Sequence, residues 1–188
     1  NCTNPVKCDV DKDEDSLAAT AFDHVCGNFK ASYRSVDNFE EADCSVADCD
    51  NSHSDNPKDW VYPEDMAEKL PEVSYAILPS RSNMKPKGRK SARPRFHMYF
   101  PHDPVTDADA YAALKKAIQQ KFPFFDGNAL DAARFIFGNA TEEIIWHEGE
   151  ITIDCIVKPQ GGREIPQGQR NATISPFAGR GVRRYGAT

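Results

Sequence analysis

Asp48 and Asp50 stand one residue apart at the end of a short apolar stretch, in "VADCDNSHSDNPKDW", residues 46 to 60. On a strand, side chains at i and i+2 share a face, roughly 6 to 7 Å apart, so two such carboxylates can share hard divalent cations, which need oxygen ligands. The pair also fits an ordinary acidic turn, because Asp-x-Asp is common in loops and this one enters a loop. A second stretch, "RSNMKPKGRKSARPRFH" (81 to 97), carries Arg81, Lys85, Lys87, Arg89, Lys90, Arg93 and Arg95 with no acid, and ends on His97. It reads either as a solvated hairpin loop or as a device that brings phosphates to metal-bound carboxylates. His97 itself fits a half-buried sheet residue equally well. A third stretch, "FPFFDGNALDAARFIFG" (122 to 138), places Asp131 ahead of an apolar segment with Arg134 three residues on. A carboxylate there would complete a three-acid site able to hold two cations about 3.5 to 4 Å apart. The plainer reading makes Asp131 a cap or turn residue with Arg134 as its surface partner. Asp126 competes for the same role, although Asp126-Gly127 looks like a turn.

Strands and helices must bring these residues together. "CSVADC" (44 to 49) reads as a short buried strand, "SYAILPSR" (74 to 81) as a second, and "RFHMYFP" (95 to 101) as a third, closed by proline. A helical pattern runs over 17 to 29, a short helix opens at Pro63, and Thr106 with Asp109 forms a capping box ahead of the clearest helix, "DADAYAALKKAIQQKF". "RFIF" (134 to 137), "EIIWH" (143 to 147) and "ITIDCIV" (151 to 157) read as further strands. The mixture predicts an α/β or α+β sandwich with helices against a sheet. After Lys158 a Gly, Pro and Gln-rich linker leads to "ATISPFAGRGVRRYG", which is expected to open the first helix of a further domain.

Length and composition bound the class. The 188 residues suffice for one sizeable core, and no apolar run approaches the roughly 18 residues that span a bilayer, so no membrane role is expected. The chain opens on Asn1 and neither end reads as a signal peptide, so a piece of a longer polypeptide is expected. The net charge of −6 hides two unlike parts: residues 1 to 72 hold 18 acids against 6 bases, and residues 73 to 188 hold 11 against 17. A polyanionic partner responds to the local field, so the acidic total does not exclude one. The six cysteines lack a paired CxxC pattern. With three Asn-x-Thr sequons they permit a secreted, disulfide-bonded protein, but free thiols are the preferred reading, with zinc or pairing at Cys2, Cys8 and Cys26 left open.

The order of these features resembles the archaeo-eukaryotic primase superfamily, in particular the primase-polymerases of phages and mobile elements. Asp-x-Asp at a strand end comes first, then a basic segment leading to a strand histidine, then an aspartate before an apolar strand. The stretches "DCDNSHSDNPKDW", "KSARPRFHMYFP" and "FFDGNALDAARFIFG" carry the likeness, which covers nearly the whole chain. It implies an α+β fold of the primase type, with mixed or antiparallel sheets packed with helices around a central cleft. Residues 1–160 would form the catalytic core, and 161–188 the linker and start of a truncated helical C-terminal domain. Asp48, Asp50 and Asp131 would be both catalytic and metal-binding, holding Mg²⁺ or Mn²⁺ in a two-metal site. His97 would match the histidine that contacts the incoming nucleotide's phosphates. Two places before it, where the superfamily usually has a small residue such as serine, stands Arg95. Ser91, Arg93 and Arg95 would therefore share the phosphate contacts, with Arg134 and Arg34 adding charge.

The resemblance implies template-directed nucleotidyl transfer, with nucleoside triphosphates as substrates and a single-stranded DNA template and primer as partners. A helicase, fused or separate, and the cytoplasm of a bacterial host complete the expectation. Two other classes stay open. A metal-dependent nuclease would also use three acids but has no need of a triphosphate grip, and a non-catalytic replication-initiator module would keep the basic surface and tolerate loss of the acids.

Overall fold

The computed structural model describes residues 5–9, 13–128, 130–140, 144–157 and 181–185. The protein is mixed α+β, built on a five-stranded antiparallel sheet and a separate three-stranded one. In chain order the elements are β1 (Pro5–Asp9), α1 (Asp13–Thr20), β2 (His24–Val25), β3 (Asn28–Phe29), β4 (Phe39–Cys49), α2 (Met66–Lys69), β5 (Tyr75–Pro79), β6 (Phe96–Val105), α3 (Ala108–Lys121), β7 (Ile145–His147), α4 (Asp154–Val157) and β8 (Gly181–Tyr185). The larger sheet runs β3-β4-β6-β5-β7 and the smaller β1-β8-β2.

β6 is the centre of the larger sheet, and its residues Phe96 to His102 are all buried. It pairs with β4 on one side, in the register Asp48↔His97 and Val46↔Tyr99, and with β5 on the other, Leu78↔His97 and Ala76↔Tyr99. Because alternate residues share a face, one side of the sheet presents Val46, Tyr99, Ala76 and Leu78, which form one apolar cluster. Asp48 and His97 continue that same row at its end. The opposite side presents Cys49, Met98, Phe96 and Ile77, which pack with Leu114 and Ile118 of α3 in the largest core. The strand expected to stop at Pro101 runs on to Val105. Pro101 lies beyond Tyr99, the last residue paired toward β5, so its missing N–H falls where the strand has one neighbour only.

α3 lies along β4, with the Tyr111 hydroxyl donating to the Cys44 carbonyl at 2.8 Å. Its N-cap is Asp107, whose carboxylate accepts from Ala110 N at 2.7 Å, and not the expected Thr106. Asp is as good a cap as Thr and stands one residue nearer the first buried turn.

Four other sequence expectations differ from the fold. The helix expected over 17 to 29 ends at Thr20, and β2 and β3 follow. "RFIF" is no strand: Ile136 alone bridges His24, through mutual backbone bonds of 2.8 and 3.0 Å. "ITIDCIV" gives a bridge at Ile151 and then α4, where Thr152 Oγ1 donates to Asp154 Oδ1 at the turn. The tail expected to begin a helix holds β8, paired antiparallel with β1 and β2. "GVRRYG" is too short between its glycines to close successive helical turns. The linker itself lies outside the described residues. No helix among the described residues is long and apolar enough to cross a membrane.

Cys26, Cys44 and Cys49 are buried free thiols and Cys155 an exposed one. Cys2 and the side chain of Cys8 lie outside the described residues.

Candidate active site

Asp48 is the last but one residue of β4, and Asp50 follows the strand's end. The chain turns at Asn51, which adopts a left-handed φ of 49°. Asparagine tolerates that conformation, and here its buried amide also holds three backbone groups: Nδ2 donates to Val61 O (2.8 Å) and Pro94 O (2.9 Å), and Oδ1 accepts from Val61 N (2.8 Å). The loop that follows Asp50 is therefore tied to the segment that leads into β6 and His97.

The third acid at this place is Asp126, not Asp131. One carboxylate oxygen from each of Asp48, Asp50 and Asp126 lies within 4.8 Å of the others. β3 pairs only with the beginning of β4, as far as Glu41, so the end of β4 has a free edge. Phe125, 3 % exposed, inserts into the main core edge-on to Phe100, and Asp126 N then donates to Asp48 O at 2.7 Å across that edge. Asp126 makes the turn its sequence suggested as well, since Oδ1 accepts from Asn128 N at 2.9 Å. Asp131 is exposed and closes its own turn, Oδ1 accepting from Ala133 N at 2.9 Å while its carbonyl accepts from Lys115 Nζ at 3.0 Å. Buried Phe125 was the missed sequence signal, because an anchored aromatic fixes the residue next to it.

Electrostatics mark Asp48 among the three. Its Oδ1 is buried with no hydrogen-bond partner, 3.7 Å from His97 Nε2. Burial, then the neighbouring carboxylates Asp50 and Asp126, push its pKa up to about 7, against the opposing pull of Lys87 and Arg134. His97 is buried, and desolvation with His24 nearby pushes its pKa down to about 3. It is therefore a neutral imidazole at ordinary pH, and its contact with Asp48 is not an ion pair. Behind it, His24 Nδ1 meets Phe22 O at 2.7 Å and so carries the proton, leaving Nε2 to accept from the Tyr99 hydroxyl at 2.8 Å.

The basic segment is an ordered extension from β5 to β6. Lys87 and Lys90 exchange backbone bonds of 3.1 Å around Gly88, whose φ of +61° suits the two-residue turn. Lys87 Nζ reaches Asp50 Oδ2 at 2.8 Å, and Arg95 Nε lies 3.6 Å from Asp50 Oδ1. The arginines expected to face phosphates do other work. Arg95 is buried and donates to the carbonyls of Ser82 (2.9 Å), Lys85 (2.6 Å) and Ser91 (3.4 Å). Arg93, fully buried, donates to Asn51 O and Ser54 O (both 2.9 Å), Asp55 Oδ1 (2.8 Å) and Ser91 Oγ (3.0 Å), and lies over the Trp60 ring. Ser91 is thus engaged by Arg93. Arg34 donates to Ala133 O at 2.6 Å and stacks on Phe135. Arg93 and Arg95, enclosed and with most of their donors spent on the loop itself, have little left for a ligand, whereas exposed Arg34 spends one donor. Arg93→Ala is accordingly expected to cost about 3 kcal/mol in urea unfolding, because several loop carbonyls lose their donor at once, and Arg93→Lys should not restore it. Undiminished stability of the alanine variant would return Arg93 to the list of ligand contacts.

Arg134 remains at the site. It is exposed and lines, with Asp48, Asp126, His97, Lys115 and Phe135, a cleft of about 700 Å³ that includes its open mouth. Comparison with family models, with curated proteins and with solved structures finds no match to this chain.

Proposed function

We propose that this chain is a template-directed nucleotidyltransferase of the primase-polymerase type, with a primase-type core, working on single-stranded DNA template and primer. The observation that carries the reading is the convergence of Asp48, Asp50 and Asp126, two of which, Asp48 and Asp126, line a cleft with His97 and Arg134. Three remote segments contribute these groups, so chance clustering within one acidic loop does not explain them. The donor set is all carboxylate oxygen, which Mg²⁺ and Mn²⁺ prefer, and the partnerless buried Oδ1 of Asp48 fits an oxygen meant for a cation. Lys87 already places a positive group against Asp50.

Asp48, Asp50 and Asp126 would hold the ions. When bound, a metal pair of this kind lowers the pKa of an attacking hydroxyl and neutralises charge on the leaving pyrophosphate. His97, being neutral, supplies an imidazole that orients Asp48 or meets a phosphate oxygen, but adds no charge. The charge for a triphosphate must come from Arg134, whose fork is free of carboxylates among the described residues, and from Lys87. A bacterial host cytoplasm and a helicase, fused or separate, belong to the same proposal.

The test is incorporation by the wild-type chain on a single-stranded template, primed and unprimed, with ribo- or deoxynucleotides and Mg²⁺ or Mn²⁺. Extension that EDTA abolishes is expected. A labelled strand degraded with metal and no nucleotides would instead favour a nuclease. Absence of both incorporation and metal-dependent nucleotide binding would leave a non-catalytic initiator module.

A further inference from the structure

Residues 134–139 form no strand, yet their backbone is pinned. Ile136 bonds His24 through both N and O, Gly138 N donates to Asp23 Oδ1, and Asn139 donates from N to Thr20 O and from Nδ2 to Pro79 O, all within 3.0 Å. A Cβ at Gly138 would lie 2.2 Å from the Phe22 backbone, so the chain approaches there as closely as only glycine allows. Between these anchors the Phe137 side chain is held 46 % exposed. The exposure is thus imposed by the backbone on either side, where a loose segment would let the ring fold down onto the sheet.

What surrounds the ring is specific. Phe135 meets it edge-on at 4.9 Å, and the Arg81 guanidinium lies 4.5 Å from its centroid. Phe135 carries Arg34 at 5.1 Å and Arg134 at 5.9 Å. Two adjacent rings, Phe137 and Phe135, are thus flanked by guanidinium groups, Arg81 at one end and Arg34 and Arg134 at the other, and both rings line the cleft whose wall holds Asp48 and His97. Neither Arg81 nor Arg134 has a carboxylate partner among the described residues. Rings for bases and unpaired cations for the phosphates between them are what a single-strand groove requires. A lone nucleotide has one base to stack; a lip with two rings and three guanidinium groups suits a polynucleotide better.

We infer that Phe137, with Arg81 laid on its ring, is a stacking station for unpaired bases of a single-stranded polynucleotide led along this lip toward the carboxylates. The inference deepens the nucleotidyltransferase reading and rests on it for why a strand comes here.

Fluorescence anisotropy with a labelled oligothymidylate, in EDTA so that no turnover contributes, tests it. Phe137→Ala is expected to weaken binding by about 5- to 100-fold, the range for loss of one stacking ring, without changing the salt slope. Phe137→Trp should retain wild-type affinity. Arg81→Gln should reduce the magnitude of the slope of log K against log salt by about 0.7, one phosphate contact on a single strand. Any of four results overturns the station: no binding by the wild type, unchanged affinity in Phe137→Ala, a tryptophan variant as weak as the alanine one, or the same loss on duplex DNA. Competition with nucleoside triphosphate separates the sources, since a Phe137→Ala defect confined to the triphosphate also overturns it. A wild type that binds strands through Phe137 but incorporates nothing sinks the enzymatic reading alone, whereas active incorporation with strand binding indifferent to Phe137 sinks the station alone.

Discussion

Asp126→Asn is expected to lower metal-dependent nucleotide incorporation by more than about 100-fold, since even loss of a group that only orients a metal ligand costs 10- to 100-fold. Asp131→Asn should stay within about twofold of wild type, as exposed turn substitutions do. The contrast separates the residue that the resemblance selects from the one that the fold delivers. Asparagine at 126 keeps the features that place the residue: the backbone bond to Asp48 O, and an Oδ1 that still accepts from Asn128 N. It removes only the negative charge facing Asp48 and Asp50. Single-turnover primer extension reads the chemistry, and Mn²⁺ calorimetry on the same variants reads the site without it. An active Asp126 variant beside an inactive Asp131 variant would mean that the acid pair at the end of β4 recruits its third ligand from the other turn, and the geometry described above would not be the working one.

The framework of the site was legible in the sequence because it depends on periods of two. "RFHMYFP" alternates and "CSVADC" is an apolar run bounded by polar residues, so both read as strands, and the two do pair, with Asp48 opposite His97. The third acid was not legible, because Asp126 and Asp131 stand in one segment and both make Asx-type turns. What separates them is the depth of Phe125, a tertiary fact. The basic run misled for a related reason. Composition counts cations but does not say which of them spend their donors on the loop itself, and Arg93 and Arg95 are enclosed by the turns they close. Arg81 and Arg134, at the edges of their motifs, stay accessible. The failed strand expectations at 134–137 and 151–157 share a cause too, since short apolar runs fit a bridge or a helical turn as well as a ladder.

Metal-free protein should be more stable as Asp48→Asn than as wild type at pH 8, and the difference should close by about pH 4 to 5. Asp48 ionises at about 7 in the folded chain against 3.8 for an ordinary aspartate. Between those values the folded state holds a proton that the unfolded state has lost, so the contribution of this group is full below 3.8 and is lost as pH rises through 7. Asparagine never ionises and escapes the loss. The full shift corresponds to about 4 kcal/mol, but solvent screens a side chain that is 39 % exposed, so about 1–2 kcal/mol, or roughly 3–6 °C in Tm, is the expected gain. The same proton must leave before a cation can use both oxygens. Mn²⁺ affinity should therefore rise about tenfold per pH unit below 7 and level off above it, with about one proton released per site at pH 6 and almost none at pH 8.5. Calorimetry in buffers of different ionisation enthalpy counts that proton directly. Affinity flat from pH 5.5 to 8.5, together with an asparagine variant no more stable than wild type, would show that Asp48 is an ordinary surface carboxylate, and the metal site would lose the ligand on which the other two converge.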